Sequence, residues 1–273
     1  MKTFRFGLFF SQSFRCASAL LLVLTVSHHV SAEVVGENIV YGHDGATLQA
    51  YVASNTAVEG PRPGVLVCHA WWGQGEYSRN RARMLAELGY TAVVLDMYGQ
   101  GVYTADPAEA GQLAGAFYQD RDLFRARAAA GLKVLKGQPD VDPDKLAAIG
   151  YCFGGTNVLE LAYSGADLAG VVSFHGSLLP PREGSDDAEN IKGKVLIAHG
   201  QADPFYGNDQ LLEVINALQA AGVDTTTLIY SGAVHAFTDP TATGELEGAK
   251  YDRAADLRSW EHMKTFFDEL FAD

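Results

Sequence analysis

A cysteine lies between two glycines in the segment Gly-Tyr-Cys-Phe-Gly, residues 150–154. This G-x-C-x-G pattern is the thiol version of the nucleophile elbow, in which a strand turns sharply into a helix. Small residues at Gly150 and Gly154 let strand and helix approach closely, while Cys152 takes a strained backbone conformation. The helix N-terminus favours an anion, and therefore a thiolate, at that point. The pattern favours a nucleophile at Cys152 over a buried structural cysteine.

An acid and a histidine follow Cys152 in the chain order that this kind of site requires. Asp203 comes just after the apolar run 194–200, and His235 comes just after the run 225–231. We expect His235 to accept the thiol proton and Asp203 to orient the imidazole.

Other side chains compete for these two roles. His69, His175 and His199 also follow apolar runs. His175 precedes the acid, which breaks the expected order, and His199 stands before a glycine, where local packing is expected. Asp224 and Asp239 are the alternative acids, but neither follows a strand at the expected place.

An acyl-transfer site also needs two N–H groups to hold the oxyanion. One belongs to the residue after the nucleophile, Phe153, and the other to the loop after the strand that ends at Ala70. That loop reads HAWWGQG, so we assign the Trp71 N–H as the second donor.

Three aromatic residues within these motifs are candidates for the lining of the substrate pocket: Trp72, Tyr98 and Phe237. Tryptophans are more often core residues, but two adjacent ones, Trp71 and Trp72, cannot both face one core. We therefore expect at least one of them to form a wall of the pocket.

These residues need a scaffold in which strand ends meet. Short apolar runs alternate with helix-like segments over residues 33–273, after a hairpin within residues 35–55. Continuous apolar runs are typical of parallel strands that are covered on both faces. We predict one α/β domain, with a mostly parallel, doubly wound sheet flanked by helices. Ligands bind at the carboxyl ends of the strands in such sheets, which is where the candidate residues fall.

The first 32 residues follow a different pattern. Three basic residues precede a short apolar run, residues 17–26, and the small residues Val30 and Ala32 precede a predicted cut after Ala32. This is the anatomy of a secretory signal peptide. The run is short for a membrane span, so no stable span is expected after cleavage. We predict export to the periplasm or the medium, with an uncleaved anchor or a misassigned start codon as alternatives; mass spectrometry of the mature N-terminus tests this.

Net charge and cysteine content further limit the functions that the chain could have. The 273-residue chain has a net charge of −13 and no cluster of Lys and Arg, which argues against nucleic-acid binding. Cleavage would leave Cys68 and Cys152, which are enough for one disulfide. Cys68 ends an apolar run and is expected to be a buried core residue, while the position of Cys152 indicates a free thiol.

The motifs GYCFGG, ADPF and VHAF, with HAWWG upstream and LDMYGQG between, resemble those of the dienelactone hydrolase family over nearly all of residues 33–273. The resemblance implies an α/β-hydrolase fold and hydrolysis of an ester or lactone without cofactor or metal. It also implies a Cys-Asp-His triad, which falls on Cys152, Asp203 and His235.

The chain departs from the family pattern at the pocket. Ala70 stands where family members have a glutamate that helps to ionise the thiol, so ionisation would depend on the histidine and the helix start, or on an acid such as Glu76. Gln100 and Asp239 stand where family members have arginines that bind the substrate carboxylate. An acid there would repel an anionic lactone. We predict a small, neutral, moderately apolar ester or lactone as substrate, and a monomer or dimer as the working unit.

Three other functions remain open. A thioesterase or acyltransferase would use the same triad. A redox thiol would need Cys68 as its resolving partner. A non-catalytic binding protein can also be built on a hydrolase fold.

Overall fold

The computed structural model describes residues 1–3, 7 and 33–272. The chain divides into two units, Met1–Ser31 and Ala32–Asp273, and the second contains every element described below. The predicted signal peptide lies almost entirely outside the described residues, so its cleavage and the export of the protein stay predictions. None of the described helices is long and apolar enough to cross a membrane.

The described part of the second unit contains eight strands and six helices. The strands are β1 (Val34–His43), β2 (Ala46–Asn55), β3 (Arg62–Cys68), β4 (Thr91–Val94), β5 (Val141–Tyr151), β6 (Gly170–Phe174), β7 (Lys194–Gly200) and β8 (Thr225–Tyr230). The helices are α1 (Glu76–Glu87), α2 (Pro107–Gln119), α3 (Arg121–Lys136), α4 (Phe153–Tyr163), α5 (Asn208–Ala220) and α6 (Arg253–Phe271).

All eight strands form one sheet in the order β1-β2-β4-β3-β5-β6-β7-β8. The first two strands pair antiparallel with each other, and β2 also pairs antiparallel with β4. The remaining neighbours, from β4 through β3 to β8, pair in parallel. The mostly parallel α/β sheet predicted from the sequence is therefore confirmed.

The hairpin at the start of the unit is also confirmed, and its turn has a simple cause. Asp44 and Gly45 take positive φ angles of 47° and 74°. Two consecutive positive φ angles define the two-residue turn that matches the twist of a hairpin, and Asp-Gly is among its preferred sequences.

Successive side chains of a strand point to opposite faces, so the buried strands build two cores. In β3, Leu66 and Cys68 pack on the face covered by α2, α3, α4 and α5. Val65 and Val67 pack on the opposite face, which α1 and α6 cover. The continuous apolar runs in the sequence are thus explained by burial on both faces.

Residues 107–136 form two helices, α2 and α3, with a break at Asp120. Asp120 ends α2 and caps α3, because its carboxylate accepts a hydrogen bond from the Leu123 N–H at 2.9 Å. A side chain that bonds to the backbone in this way favours a new helix start over a continuing helix. The break moves α3 into position beneath β3 and β5.

Candidate active site

The nucleophile elbow between β5 and α4 has the geometry that its glycines permit. Cys152 has φ 56° and ψ −118°, a backbone conformation that residues other than glycine rarely adopt. A Cβ at position 150 would lie 1.9 Å from the Gly154 carbonyl oxygen, and a Cβ at position 154 would lie 2.1 Å from the Cys68 carbonyl oxygen. Backbone therefore occupies the space that larger residues would need, and the turn presents the thiol at the carboxyl end of β5.

Asp203 and His235 lie next to each other beyond the carboxyl ends of the parallel strands. The Nδ1 atom of His235 is 2.8 Å from Oδ2 of Asp203, and both side chains are buried. The other carboxylate oxygen of Asp203 accepts hydrogen bonds from the N–H groups of Phe205 and Tyr206 at 2.9 and 3.2 Å. The carboxylate is thus fixed by backbone donors, and the Cys152 thiol lies within hydrogen-bonding reach of the imidazole.

The loops that carry these two residues are tied to the sheet and to each other. Asp203 follows β7 by three residues, and the Ala202 N–H donates to the Ala233 carbonyl at 2.9 Å. The His235 N–H donates to the Gly248 carbonyl at 3.1 Å, and the Lys250 N–H donates to the His235 carbonyl at 2.9 Å. These bonds hold the imidazole against the carboxylate without help from a ligand.

The charge of the site is carried by a histidine and a thiol. Burial lowers the pKa of His235, but the negative charge of Cys152 and the hydrogen bond to Asp203 raise it by more, so that its pKa is raised from 6.5 to about 10. At that pKa, His235 is an imidazolium at neutral pH. An imidazolium beside a thiol favours the anionic form of the sulfur and can itself act as an acid.

Two backbone N–H groups border the thiol. Phe153 is the first residue of α4, and its N–H has no acceptor within the helix. Trp71 lies in the loop after β3, and neither its N–H nor that of Phe153 has an acceptor among residues 33–272. The Tyr98 hydroxyl donates to the Trp71 carbonyl at 3.0 Å, and its ring lies 5.6 Å from that of Phe153. Tyr98 therefore contacts both residues whose N–H groups are the predicted oxyanion donors.

A cavity of about 770 Å³ opens in front of the thiol. Trp71 and Trp72 form part of its wall, with ring centroids 4.8 Å apart. Apart from His235, its charged wall residues within the described chain are three carboxylates: Glu76, Asp239 and Glu245. The cavity is thus aromatic and large, and none of its described wall residues is a Lys or Arg that could hold an anionic group.

The expectation for two of the three lining candidates needs correction, because only Trp72 lines the cavity. Tyr98 lies behind the oxyanion loop, as described above. Phe237 is fully buried and packs against His175 and Tyr230, at 5.0 and 5.3 Å between ring centroids. A position inside a conspicuous motif does not decide which way a side chain points.

Four aromatic wall residues were not anticipated: Tyr77, Tyr103, Phe205 and Tyr206. Phe205 and Tyr206 directly follow the candidate acid in the segment ADPFYG, and that adjacency was the available signal. Their rings lie 5.4 and 5.7 Å from the ring of His235. They enclose the imidazole and shield it from water.

The competing candidates occupy other places. His69 is buried, donates to the Ala70 carbonyl at 2.7 Å and accepts from the Met97 N–H at 3.2 Å. His199 is buried next to the acid, and both its ring nitrogens lack partners among the described residues. Asp224 is exposed and pairs with Lys194 at 3.2 Å. None of these three takes the place of a triad member.

The other polar residues singled out in the sequence, Glu76, Gln100 and Asp239, each have a partner of their own. Glu76 lines the cavity, but its exposed carboxylate forms an ion pair with Arg83. Gln100 is bonded to the side chain of Gln49 at 3.0 Å. Asp239 lies in the cavity wall and accepts from the N–H and the hydroxyl of Thr241 at 2.9 and 2.7 Å.

Metal binding and disulfide formation find little support in the described residues. No group of three or more His, Cys, Asp or Glu side chains there is arranged to hold a metal ion. Cys68 and Cys152 are both free. Burial raises the pKa of the Cys68 thiol, which keeps that sulfur protonated and unreactive.

Comparison with known proteins gives one consistent result. The family model described as the dienelactone hydrolase family matches residues 48–271. A putative carboxymethylenebutenolidase of Aquifex aeolicus (strain VF5) is 27% identical over 238 residues, which cover 85% of this chain and 98% of that protein.

Two solved structures are similar in both sequence and fold. The structure of m3DLH is 38% identical with a TM-score of 0.84, and the match covers 88% of this chain and 99% of that one. A dienelactone hydrolase-like promiscuous phosphotriesterase from metagenomic libraries is also 38% identical, with a TM-score of 0.85 and coverage of 89% and 100%. The matched region contains every element that positions the candidate site.

Proposed function

Because the chain belongs to the dienelactone hydrolase family, a family of ester and lactone hydrolases, we propose that it cleaves a neutral carboxylic ester or lactone through a Cys152-His235-Asp203 triad. The observation that carries the proposal is the thiol of Cys152 on a strained backbone turn, together with the His235 imidazole that a buried carboxylate holds at 2.8 Å. No step requires a cofactor.

The first step is acylation of the thiol. The Cys152 thiolate attacks the carbonyl carbon, and the carbonyl oxygen becomes an oxyanion beside the N–H groups of Phe153 and Trp71. The His235 imidazolium then donates its proton to the leaving alkoxide as the C–O bond breaks. The products of this step are an alcohol, a thioester on Cys152 and a neutral imidazole.

The second step is hydrolysis, and the charge change of the first step prepares it. Formation of the thioester removes the negative charge of the sulfur, which is the largest influence that raises the pKa of His235. Burial then lowers that pKa without opposition from the sulfur. The imidazole becomes a base that takes a proton from water, and the resulting hydroxide attacks the thioester and releases the acid.

The charge of the cavity supports a neutral substrate. Glu76, Asp239 and Glu245 would repel a substrate carboxylate, and the described wall has no Lys or Arg to bind one. The His235 imidazolium of that wall is already paired with Asp203. The aromatic wall, Trp71, Trp72 and Tyr206 among it, suits an apolar acyl or alcohol group.

The first test replaces the nucleophile. We expect Cys152→Ala to abolish turnover of an activated aryl ester while circular dichroism and the melting temperature stay close to those of the wild type. Cys152→Ser should keep a small part of the activity, because His235 can also serve a hydroxyl. Mass spectrometry of the wild type during turnover should detect acylated Cys152. Esterase activity retained by the alanine variant would refute the proposal.

The second test measures substrate charge. A panel of matched aryl esters with neutral, anionic and cationic acyl groups should give the lowest kcat/KM for the anionic ester. A preference for carboxylated lactones would contradict the proposed substrate class and leave the triad intact. Acyl acceptors other than water, added to the same acyl-enzyme, distinguish a hydrolase from an acyltransferase.

A second candidate activity is hydrolysis of neutral phosphotriesters. It is supported by the 38% identity to a promiscuous phosphotriesterase over almost the full length of both chains, and by a cavity wall with no Lys or Arg among its described residues. Assay with paraoxon, and the loss of that activity in Cys152→Ala, test whether one thiol serves both reactions.

A further inference from the structure

His175 is a buried histidine beside the nucleophile that has no place in the triad. It directly follows β6, takes a positive φ of 40° and lies in the cavity wall with 2% of its surface exposed. A histidine held in this backbone conformation, next to a reactive centre, must be fixed by its surroundings.

The imidazole of His175 bonds directly to the backbone of the nucleophile. The Cys152 N–H donates to the Nδ1 atom of His175 at 3.2 Å, and it also donates to the Phe174 carbonyl at 3.0 Å. Because Nδ1 accepts this bond, the ring proton of a neutral imidazole must lie on Nε2. The His175 ring and the Phe174 carbonyl therefore hold the strained turn together from the side of the sheet.

The other side of the ring bonds to the segment that carries the catalytic histidine. The Nε2–H of His175 donates to the Thr238 hydroxyl at 2.6 Å, and that hydroxyl shares a second hydrogen bond of 2.6 Å with Tyr77. Thr238 lies three residues after His235 and is buried. A continuous chain of bonds thus runs from the nucleophile backbone, through the imidazole, to the loop of the acid–base residue.

The surroundings keep this imidazole neutral while its neighbour is charged. Burial, and next the positive charge of His235, lower the pKa of His175 well below 6.5. Arg81 and His199 also face it and act in the same direction. The rings of His175 and His235 lie 5.2 Å apart, so a second proton here would place two imidazolium ions side by side.

We propose that His175 is a positioning residue of this hydrolase, whose neutral imidazole holds the Cys152 backbone in its attack geometry and couples it through Thr238 to the His235 loop. It does not touch the reacting atoms. Loss of the acceptor would let the elbow relax, and the sulfur would move relative to the oxyanion donors. The proposal rests on the proposed function, and turnover by the wild type that is lost in Cys152→Ala is the check that separates the two.

The test compares two substitutions at one position. His175→Asn keeps an acceptor near the place of Nδ1, whereas His175→Phe keeps the ring volume and removes it. We expect kcat of His175→Phe to fall by about 10- to 100-fold with KM within about twofold of the wild type, because misplacement of reacting groups weakens the chemical step more than binding. His175→Asn should recover most of that loss. The pH profile of Cys152 alkylation by iodoacetamide should stay close to that of the wild type in both variants, since His235 and its bond to Asp203 are unchanged.

Thr238 provides a second, milder test that does not replace the buried ring. Thr238→Val removes the hydroxyl that accepts from His175 and should lower kcat by about 3- to 10-fold, while Thr238→Ser should restore it. The proposal is overturned if His175→Phe keeps full kcat, if its loss appears in KM alone, or if the asparagine variant is as impaired as the phenylalanine variant. Equal kcat for Thr238→Val and Thr238→Ser would overturn the coupling to the His235 loop.

Discussion

A single imidazole changes its role during the proposed reaction because its neighbour changes charge. The pKa of His235 is raised to about 10 by the Cys152 charge and the Asp203 hydrogen bond, against the effect of burial. Once the sulfur is acylated, only the carboxylate opposes burial. The same residue can therefore be an acid in the first step and a base in the second, without movement of any element.

The first prediction concerns the carboxylate that supports this imidazole. Asp203→Asn removes a negative charge 2.8 Å from His235, so the pKa of His235 should fall. We expect kcat/KM to drop by about 10²-fold or more, because the orienting acid of such a triad is worth up to about 10⁴-fold. Proton NMR titration of the His235 ring should show a midpoint at lower pH than in the wild type.

The matched control is Asp224→Asn, which replaces an exposed acid that pairs with Lys194 and lies outside the site. Its kinetics and its His235 titration should equal those of the wild type.

The raised pKa of His235 also determines how the stability of the protein depends on pH. The contribution of the imidazolium to the free energy of unfolding is present below pH 6.5 and is lost as the pH rises towards about 10. An unchanged His235 titration in Asp203→Asn would contradict this assignment.

At the scale of the elements, the site depends on how closely a strand and a helix approach at the elbow. The carbonyl of Cys68 at the end of β3 lies where a side chain at the second position of α4 would begin. Three elements, β3, β5 and α4, therefore meet with backbone in contact with backbone. This contact brings the Trp71 loop next to the first turn of α4, so the two proposed oxyanion donors come from elements that touch.

A glycine substitution tests that contact. Gly154→Ala would place a Cβ 2.1 Å from the Cys68 carbonyl oxygen, and backbone would have to move. We expect the free energy of unfolding to fall by about 3 kcal/mol, a loss typical of overpacking in a core, and kcat to fall with it. Guanidinium denaturation and ester kinetics measure the two effects.

The control is Gly111→Ala, at an exposed position inside α2 where an added Cβ meets nothing within 4 Å. Because alanine favours the helix, this change should stabilise the protein by about 0.5–1 kcal/mol and leave kcat unaltered. Equal stability of the two alanine variants would show that the elbow tolerates a side chain and that its glycines serve another purpose.

At the scale of the whole molecule, a buried ion cluster ties the nucleophile helix to distant parts of the chain. Glu160 of α4 is fully buried and forms ion pairs with Arg125 of α3 at 2.7 Å and with Arg121 at 2.5 Å. Arg125 also forms a two-point ion pair with Asp187 at 2.8 and 2.6 Å, and Asp187 accepts from Arg182. The cluster joins α3, α4 and the long segment between β6 and β7.

The pH dependence of stability should report this cluster. Burial raises the pKa of Asp187, but hydrogen bonds from Arg125 and Arg182 lower it by more, so it stays well below 3.8. Its contribution is therefore present above about pH 4 and is lost as the pH falls through the folded-state value. Asp187→Asn should cost about 3 kcal/mol at pH 7, and the gap to the wild type should narrow below about pH 4.

Asp122→Asn is the matched control, because Asp122 bonds to Arg182 at 2.7 Å with its side chain 82% exposed. An exposed pair contributes less than about 1 kcal/mol. Denaturation curves at pH 7 and pH 3 for both variants decide the matter. A gap between wild type and Asp187→Asn that stays constant with pH would mean that the Asp187 charge contributes nothing to stability.

The sequence alone determined the α/β class, the hairpin, the order of the strands along the chain and the position of the elbow. These features depend on local patterns: alternation and apolar runs for the strands, Asp44-Gly45 for the turn, and two glycines around Cys152 for the elbow. A local pattern can be recognised because the backbone geometry that it permits involves only neighbouring residues. The order Cys152, Asp203, His235 could also be recognised in the sequence, because each residue follows an apolar run that predicts a strand.

Only the tertiary structure decided which side chains share the edge of the sheet and which way they point. Tyr98 faces the oxyanion loop and not the cavity, Tyr206 encloses the imidazole, and His175 bonds to the nucleophile backbone. These contacts join residues far apart in the chain, and each depends on loop paths and rotamers that packing selects. The sequence therefore indicated where chemistry would occur, whereas the surroundings that control its charge and geometry arose from non-local packing.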